Sequence, residues 1–212
     1  MEEFNFNEFN KIRKLFLSRN KENDHTVLLG SNNILISAPH GVRQMRLGKP
    51  KLPETGSIAT ALYLQNKTNS FLIAKTKFNN DDANFDQNSS YRDTIRELVK
   101  KYNIKYLIDF HGLAPHWGCH INLGTNLGTN THSNINILND LNQSLINNGF
   151  IVSIDFPYKG GENTISGSFS QELNIWTIQI EIRCDISNLK DNFNQNYTLL
   201  KVLENWLNSI GN

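Results

Sequence analysis

Apolar positions along the chain recur with two periods, one near 3.6 and one near 2, and the two kinds of segment alternate. Phe4, Phe6, Phe9, Ile12, Leu15, Phe16 and Leu17 are spaced as on a helix, which predicts an N-terminal helix within residues 1–22 that packs on the rest. "TVLLG" and "ILISA" read as strands flanking Ser31-Asn32-Asn33, a tripeptide suited to a hairpin turn. "GSIATALYLQNK" is predicted to be a helix, with Ile58, Ala61, Leu62 and Leu64 facing inward. The strand "SFLIAKT" and the polar loop "KFNNDDANFDQNSS" follow, and then a helix, "YRDTIRELVKKYN", capped by Ser89 or Ser90. "KYLIDFHG" and "CHINLGT" are strands, and "NINILNDLNQSLINNGF" is a helix ended by Gly149. "IVSIDFP" and "WTIQIEIRC" are strands separated by a Gly/Ser-rich loop, and "FNQNYTLLKVLENWLNSI" is a closing helix.

Strands alternating with helices predict an α/β sheet with helices on both faces. No low-complexity linker divides the chain, so residues 1–212 are expected to form one domain. The doublet "NLGTNLGT" is too short to mark a repeat architecture. Composition narrows the partners. Net charge is +1 with both signs interspersed, so neither nucleic acid nor a membrane surface is expected as a partner. No apolar run approaches the roughly 20 residues of a membrane span. The start, "MEEFNFNEFNKIRK", lacks the character of a secretory signal, and two cysteines imply no disulfide framework. A cytoplasmic location is the expectation; the oligomeric state is left open. Asparagine is abundant without any period and reads as a compositional bias.

In sheets of this kind ligands gather beyond the carboxyl ends of the strands. His40 follows "ILISAP", His111 follows "YLIDF", and Glu181 lies near the end of "TIQIEIRC". Asp109 and His111 share one strand face, so the aspartate is placed to orient the ring. Two imidazoles and a carboxylate form the protein share of many catalytic zinc sites. Glu54, in "LPETGS", is the carboxylate expected to join His40 and His111, and Glu181 is the expected general base, its pKa raised by burial between Ile180 and Ile182. Each also has a structural reading. A strand-end histidine often only makes hydrogen bonds, Glu54 can simply favour the positive end of the following helix, and Glu181 can pair with Arg183. A rival set, His111, His116, Cys119 and His120, could hold a structural zinc, although Pro115 and Gly118 break any common face. Arg43, Arg46, Arg92 and Arg183 are near enough in sequence to grip a carboxylate, and His116 is a candidate substrate contact.

"SAPHG", "ETGSIATAL", "DFHG" and "QIEIR", in this order over residues 34–184, resemble the N-formylglutamate amidohydrolase family of the zinc-carboxypeptidase-like hydrolases. The resemblance implies a three-layer α/β/α sandwich with a mixed central sheet. It also implies one Zn2+ held by His40, Glu54 and His111, with Glu181 as base in hydrolysis of an amide bond on a small carboxylated amide or peptide. "DDANFD" is similar to the family's substrate-holding Asp-x-Asn-Arg segment: Asn84 matches, and Phe85 stands where arginine is expected, with Arg92 a few residues on as a replacement charge. The 14-residue step from His40 to Glu54 departs from the His-x-x-Glu spacing of true carboxypeptidases. Two alternatives accompany this expectation: a poly-γ-glutamate or γ-glutamyl peptide hydrolase, and an inactive relative that binds a ligand.

Overall fold

The computed structural model describes residues 23–187 and 192–211; the expected N-terminal helix lies outside the described residues. Strands β1 (His25–Leu28), β2 (Ile34–Ala38), β3 (Gln44–Arg46) and β4 (Lys49–Lys51) precede helix α1 (Thr55–Thr68). Strand β5 (Phe71–Lys75), helix α2 (Ser90–Tyr102), β6 (Tyr106–Leu113), β7 (Ile121–Gly124), α3 (Ile135–Asn147) and β8 (Val152–Ile154) follow. Helix α4 (Ile165–Leu173), β9 (Trp176–Arg183), the single-turn α5 (Cys184–Ser187) and α6 (Phe193–Ile210) come last among the described residues. Seven strands form one sheet in the order β1-β5-β2-β6-β9-β7-β8, while β3 and β4 pair separately. The four central strands β5, β2, β6 and β9 are parallel, whereas β1 runs antiparallel to β5 and the parallel pair β7–β8 runs antiparallel to β9, so the sheet is mixed.

Period-2 alternation sends each strand's side chains to two different environments. On one face Ile36, Ile108, Phe110, Ile178 and Ile180 pack with residues of α1, α3 and α6. On the other, Leu35, Ile73 and Leu107 pack with residues of α2 and α4. The result is the three-layer α/β/α arrangement. This second face changes character along the strands: Leu35 gives way to Ser37, Leu107 to Asp109 and His111, and Thr177 to Gln179 and Glu181. Burial of apolar groups anchors the amino ends of the strands, and polar groups collect at the carboxyl ends.

Four expectations are corrected. β1 and β2 are not a hairpin, because β5 lies between them and hydrogen-bonds to both. The loop expected between β8 and β9 contains α4, capped by Thr164, whose side chain accepts from Gly167 N–H. Residues 41–53, which carried no predicted element, contain the β3–β4 hairpin, turned by Leu47 and Gly48 at positive φ. Asparagine is more than bias, since Asn69, Asn103 and Asn174 end α1, α2 and α4 in the left-handed conformation that glycine more often supplies. Of the two cap candidates for α2, Ser89 is the cap: its hydroxyl accepts from Arg92 N–H.

Candidate metal centre and its cleft

The Pro-His-Gly corner places His40 just beyond the carboxyl end of β2, and Gly41 permits the close approach this needs. A Cβ at Gly41 would lie 2.7 Å from both Ile58 Cδ1 and the Lys75 carbonyl oxygen. The hairpin of residues 41–53 then closes on itself, with Glu54 N–H donating to the His40 carbonyl at 2.8 Å. That bond explains how residues 14 positions apart in sequence meet. Glu54 stands at the N-terminus of α1, yet its carboxylate makes no cap bond. Its Oε2 accepts from Gly112 N–H at 2.9 Å, and its Oε1 lies 2.9 Å from His40 Nδ1. A Cβ at Gly112 would be 3.1 Å from Glu54 Cγ, so the glycine after each histidine leaves room for the site.

Both rings are oriented from behind. His40 Nε2 is 2.9 Å from Asp82 Oδ1, and His111 Nε2 is 2.9 Å from Asp109 Oδ2. Both aspartates are fully buried. With each Nε2–H donated to a carboxylate, each Nδ1 presents its lone pair to the centre. The two Nδ1 atoms are 3.1 Å apart, and Glu54 Oε2 is 3.5 Å from that of His111. Three lone-pair donors therefore converge, all within 4.8 Å of one another. A single proton between two of them leaves the third facing a like lone pair, whereas one cation satisfies all three. Burial works against charge on the rings, but Glu54 and Asp82 raise His40, and Asp109 and Glu54 raise His111 well above the ordinary imidazole value. Glu54, although partly desolvated, is held below the usual carboxylate range by the two histidines. Asp109 Oδ1, buried with no partner among the described residues, adds to the negative surplus. The nitrogen and oxygen donors suit zinc and several other first-row ions. The residues present fit a metal.

Glu181 lies beside His111 in register on β9 and is buried. Burial, with the charge of Glu54, pushes it up to about 7 against the opposing pull of His111 and a 2.7 Å hydrogen bond from Gln179 Nε2 to its Oε1. His40, Glu54, His111 and Glu181 line one cleft of about 330 Å³. Asn84 lines it too; its Oδ1 accepts from Ile165 N–H, leaving the amide nitrogen without a protein partner among the described residues.

The remaining expected contacts stand elsewhere. Arg92 is fully buried, and its five N–H groups go to the carbonyls of Ala83, Asn84 and Asn163, to Gln87 Oε1 and to Ser168 Oγ. Arg183 pairs with Asp185, not with Glu181. Arg43 is exposed, and His116 is exposed with its ring against Trp117; none of these four lines the cleft. The set His111, His116, Cys119 and His120 does not converge, since His40, Glu54 and His111 form the one such cluster among the described residues.

Cations that do line the cleft are Arg46, Lys51 and Lys159. Arg46 Nε and Nη2 both lie 2.8 Å from Asp82 Oδ2, and its guanidinium sits over the Phe85 ring at 5.2 Å. Sequence reasoning gave Lys51, Lys159 and Asp82 no role. Their signal was weak because Lys51 belongs to an unpredicted hairpin, and Asp82 and Lys159 sit in irregular loops.

No family model and no curated protein matches the chain. Solved structures share its fold, which is that of the metallo-carboxypeptidases. A gene product of Agrobacterium tumefaciens superposes with a TM-score of 0.63 at 14% identity, over 94% of this chain and 99% of that one. A metallo-carboxypeptidase from Burkholderia cenocepacia gives 0.56 at 9% identity, over 94% of this chain and 69% of its own. A bacteriophage poly-gamma-glutamate hydrolase gives 0.51 at 13% identity, over 94% and 95%. At these identities the likeness concerns the fold. Among the described residues no helix is long and apolar enough to cross a membrane.

Proposed function

We propose that the chain is a metal-dependent hydrolase cleaving an amide bond in a small substrate that bears a carboxylate. The observation that carries this reading is the convergence of His40 Nδ1, His111 Nδ1 and Glu54 in one cleft with a buried Glu181. These three residues would hold one Zn2+, whose chemistry when bound is to polarise a carbonyl and make water more acidic. Asp82 and Asp109 hold the two rings in the donor orientation. Glu181 keeps Oε1 on Gln179 and uses Oε2 to take a proton from the attacking water, then returns it to the leaving amine. Arg46, Lys51 and Lys159, with the Asn84 amide, favour an anionic end on the substrate. Phe85 acts as the seat of Arg46, which takes over the charge expected at that position. A γ-glutamyl peptide, with a carboxylate on every residue, suits the same cations and is the second reading.

The test is metal content of protein purified without added metal, for wild type, His111→Ala and Glu181→Gln. Near one zinc per chain in wild type, lost in His111→Ala and retained in Glu181→Gln with turnover largely gone, is the expected result. Absence of metal from wild type even after reconstitution with zinc refutes the reading. Metal binding with turnover unaffected in Glu181→Gln assigns the chain to a ligand-binding role.

A further inference from the structure

Three aromatic rings outside the core pack together, and one of them, Tyr158, lines the cleft. Trp117, from the segment between β6 and β7, packs edge-to-face on Phe156 at 5.6 Å and on Tyr158 at 6.3 Å, both from the loop after β8. Phe156 is 66% exposed and Tyr158 is 44% exposed. Tyr158 and its neighbour Pro157 line the cleft itself. The Trp117 indole N–H is buried with no acceptor among the described residues, so packing and not a side-chain hydrogen bond holds the indole. Exposed apolar rings packed on a ring that lines a polar cleft are a usual make-up of a ligand-binding wall.

Topology fixes where this wall stands. In the sheet order, β6 and β9 carry His111 and Glu181 at the centre, β2 lies on one side and β7 and β8 on the other. Arg46 and Lys51 come from the hairpin that follows β2, and the rings come from segments bordering β7 and β8. An extended substrate crossing the centre therefore meets Arg46 and Lys51 at one end and the aromatic rings, with Lys159 next to Tyr158, at the other.

Resting on the hydrolase reading above, we infer that the Trp117–Phe156–Tyr158 wall is a subsite for a large apolar group, preferably planar, on the far side of the scissile amide from the substrate carboxylate. The substrate class narrows accordingly. It is an amino acid or short peptide whose amide carries an aromatic or bulky aliphatic group; a formyl group is too small to reach the wall.

Binding of non-hydrolysable probes tests this directly on the zinc-loaded full chain. Succinate and phenylsuccinate differ by one ring, and neutral N-benzylacetamide carries the ring without the charges. Affinities are read by calorimetry and by intrinsic fluorescence, for which Trp117 is the responsive group because Trp176 and Trp206 are buried. Phenylsuccinate is expected to bind about 10-fold more tightly than succinate, from burial of the ring. The advantage is expected to vanish in Phe156→Ala/Tyr158→Ala, whose exposed positions tolerate truncation. Equal affinities, or an advantage unchanged in the double variant, overturn the subsite. Self-association abolished by the double variant, without any preference for the phenyl group, also overturns it and assigns the wall to a second copy of the chain. Failure of the hydrolase reading looks different: zinc does not bind, whereas N-benzylacetamide still quenches Trp117.

Discussion

Replacing Arg92 by methionine keeps much of the side-chain volume and removes all five of its donors. Three of the acceptors are buried-side backbone carbonyls, on Ala83, Asn84 and Asn163, at 2.9, 3.2 and 3.0 Å. The first two lie in the loop that carries Asp82, and the third lies just before α4, so the guanidinium staples two loops together. Each carbonyl left without a donor costs about 1 kcal/mol or more, and Gln87 and Ser168 lose partners as well. Part of this is offset because a buried cation no longer has to be desolvated. The net loss expected is about 3 kcal/mol. With a urea m-value of about 2–3 kcal/mol/M for a chain of this size, the unfolding midpoint falls by roughly 1 M or slightly more. Arg92→Lys keeps the charge with fewer donors and should fall between the two. A midpoint for Arg92→Met within about 0.2 M of wild type, coupled with loss of succinate binding, would refute the stapling role and make Arg92 a substrate contact.

The Asp24 carboxyl gives a pH signature. Burial pushes it up, but Lys75, His25 and Ser90 outweigh burial and hold it at about 2, below its usual 3.8. A depressed folded-state value means stability is present above pH 4 and lost as pH falls through about 2; the loss, roughly 2 kcal/mol, should be absent from Asp24→Asn in acid titrations followed by circular dichroism. Gly41→Ala should destabilise by about 1–3 kcal/mol in urea melts, because its Cβ meets Ile58 and the Lys75 carbonyl, and an unchanged midpoint counts against the close approach. Asp82→Asn should lower zinc affinity about 10–100-fold in competition with a chelator, since the amide is a poorer partner for His40 Nε2; equal affinity would deny Asp82 its orienting part.

Legibility in the sequence followed the reach of each interaction. Helix α6 matched its predicted span because 18 residues of periodic apolar positions leave little ambiguity. The side-by-side placement of Asp109 and His111 followed from period 2 alone. Pairing across the sheet did not: β1 carries nothing that says its partner is β5 and not β2. Helix α4 was hidden because "ISGSFSQEL" has small polar residues where a helix usually shows an apolar stripe, and its burial comes chiefly through Ile165 and Phe169. In the cleft, His111 and Glu181 on strands and His40, Glu54 and Asn84 beside recognisable motifs could be singled out, whereas Lys51, Asp82 and Lys159 in irregular or unpredicted segments could not. Arg92 misled because a lone arginine beside a polar loop carries no mark that five acceptors await it.

The change from apolar to polar side chains along one face of the strands β2, β6 and β9 bears on descent. Leu35, Leu107 and Ile108 hold the layers together, while Asp109, His111, Gln179 and Glu181 face the cleft or the group behind it. Substitution at the second set leaves the first untouched. A lineage built this way can exchange its reactive groups position by position while the scaffold persists, and the scaffold in turn needs only apolar bulk in the right alternation. Superposition over 94% of the chain at 9–14% identity is what such a separation permits.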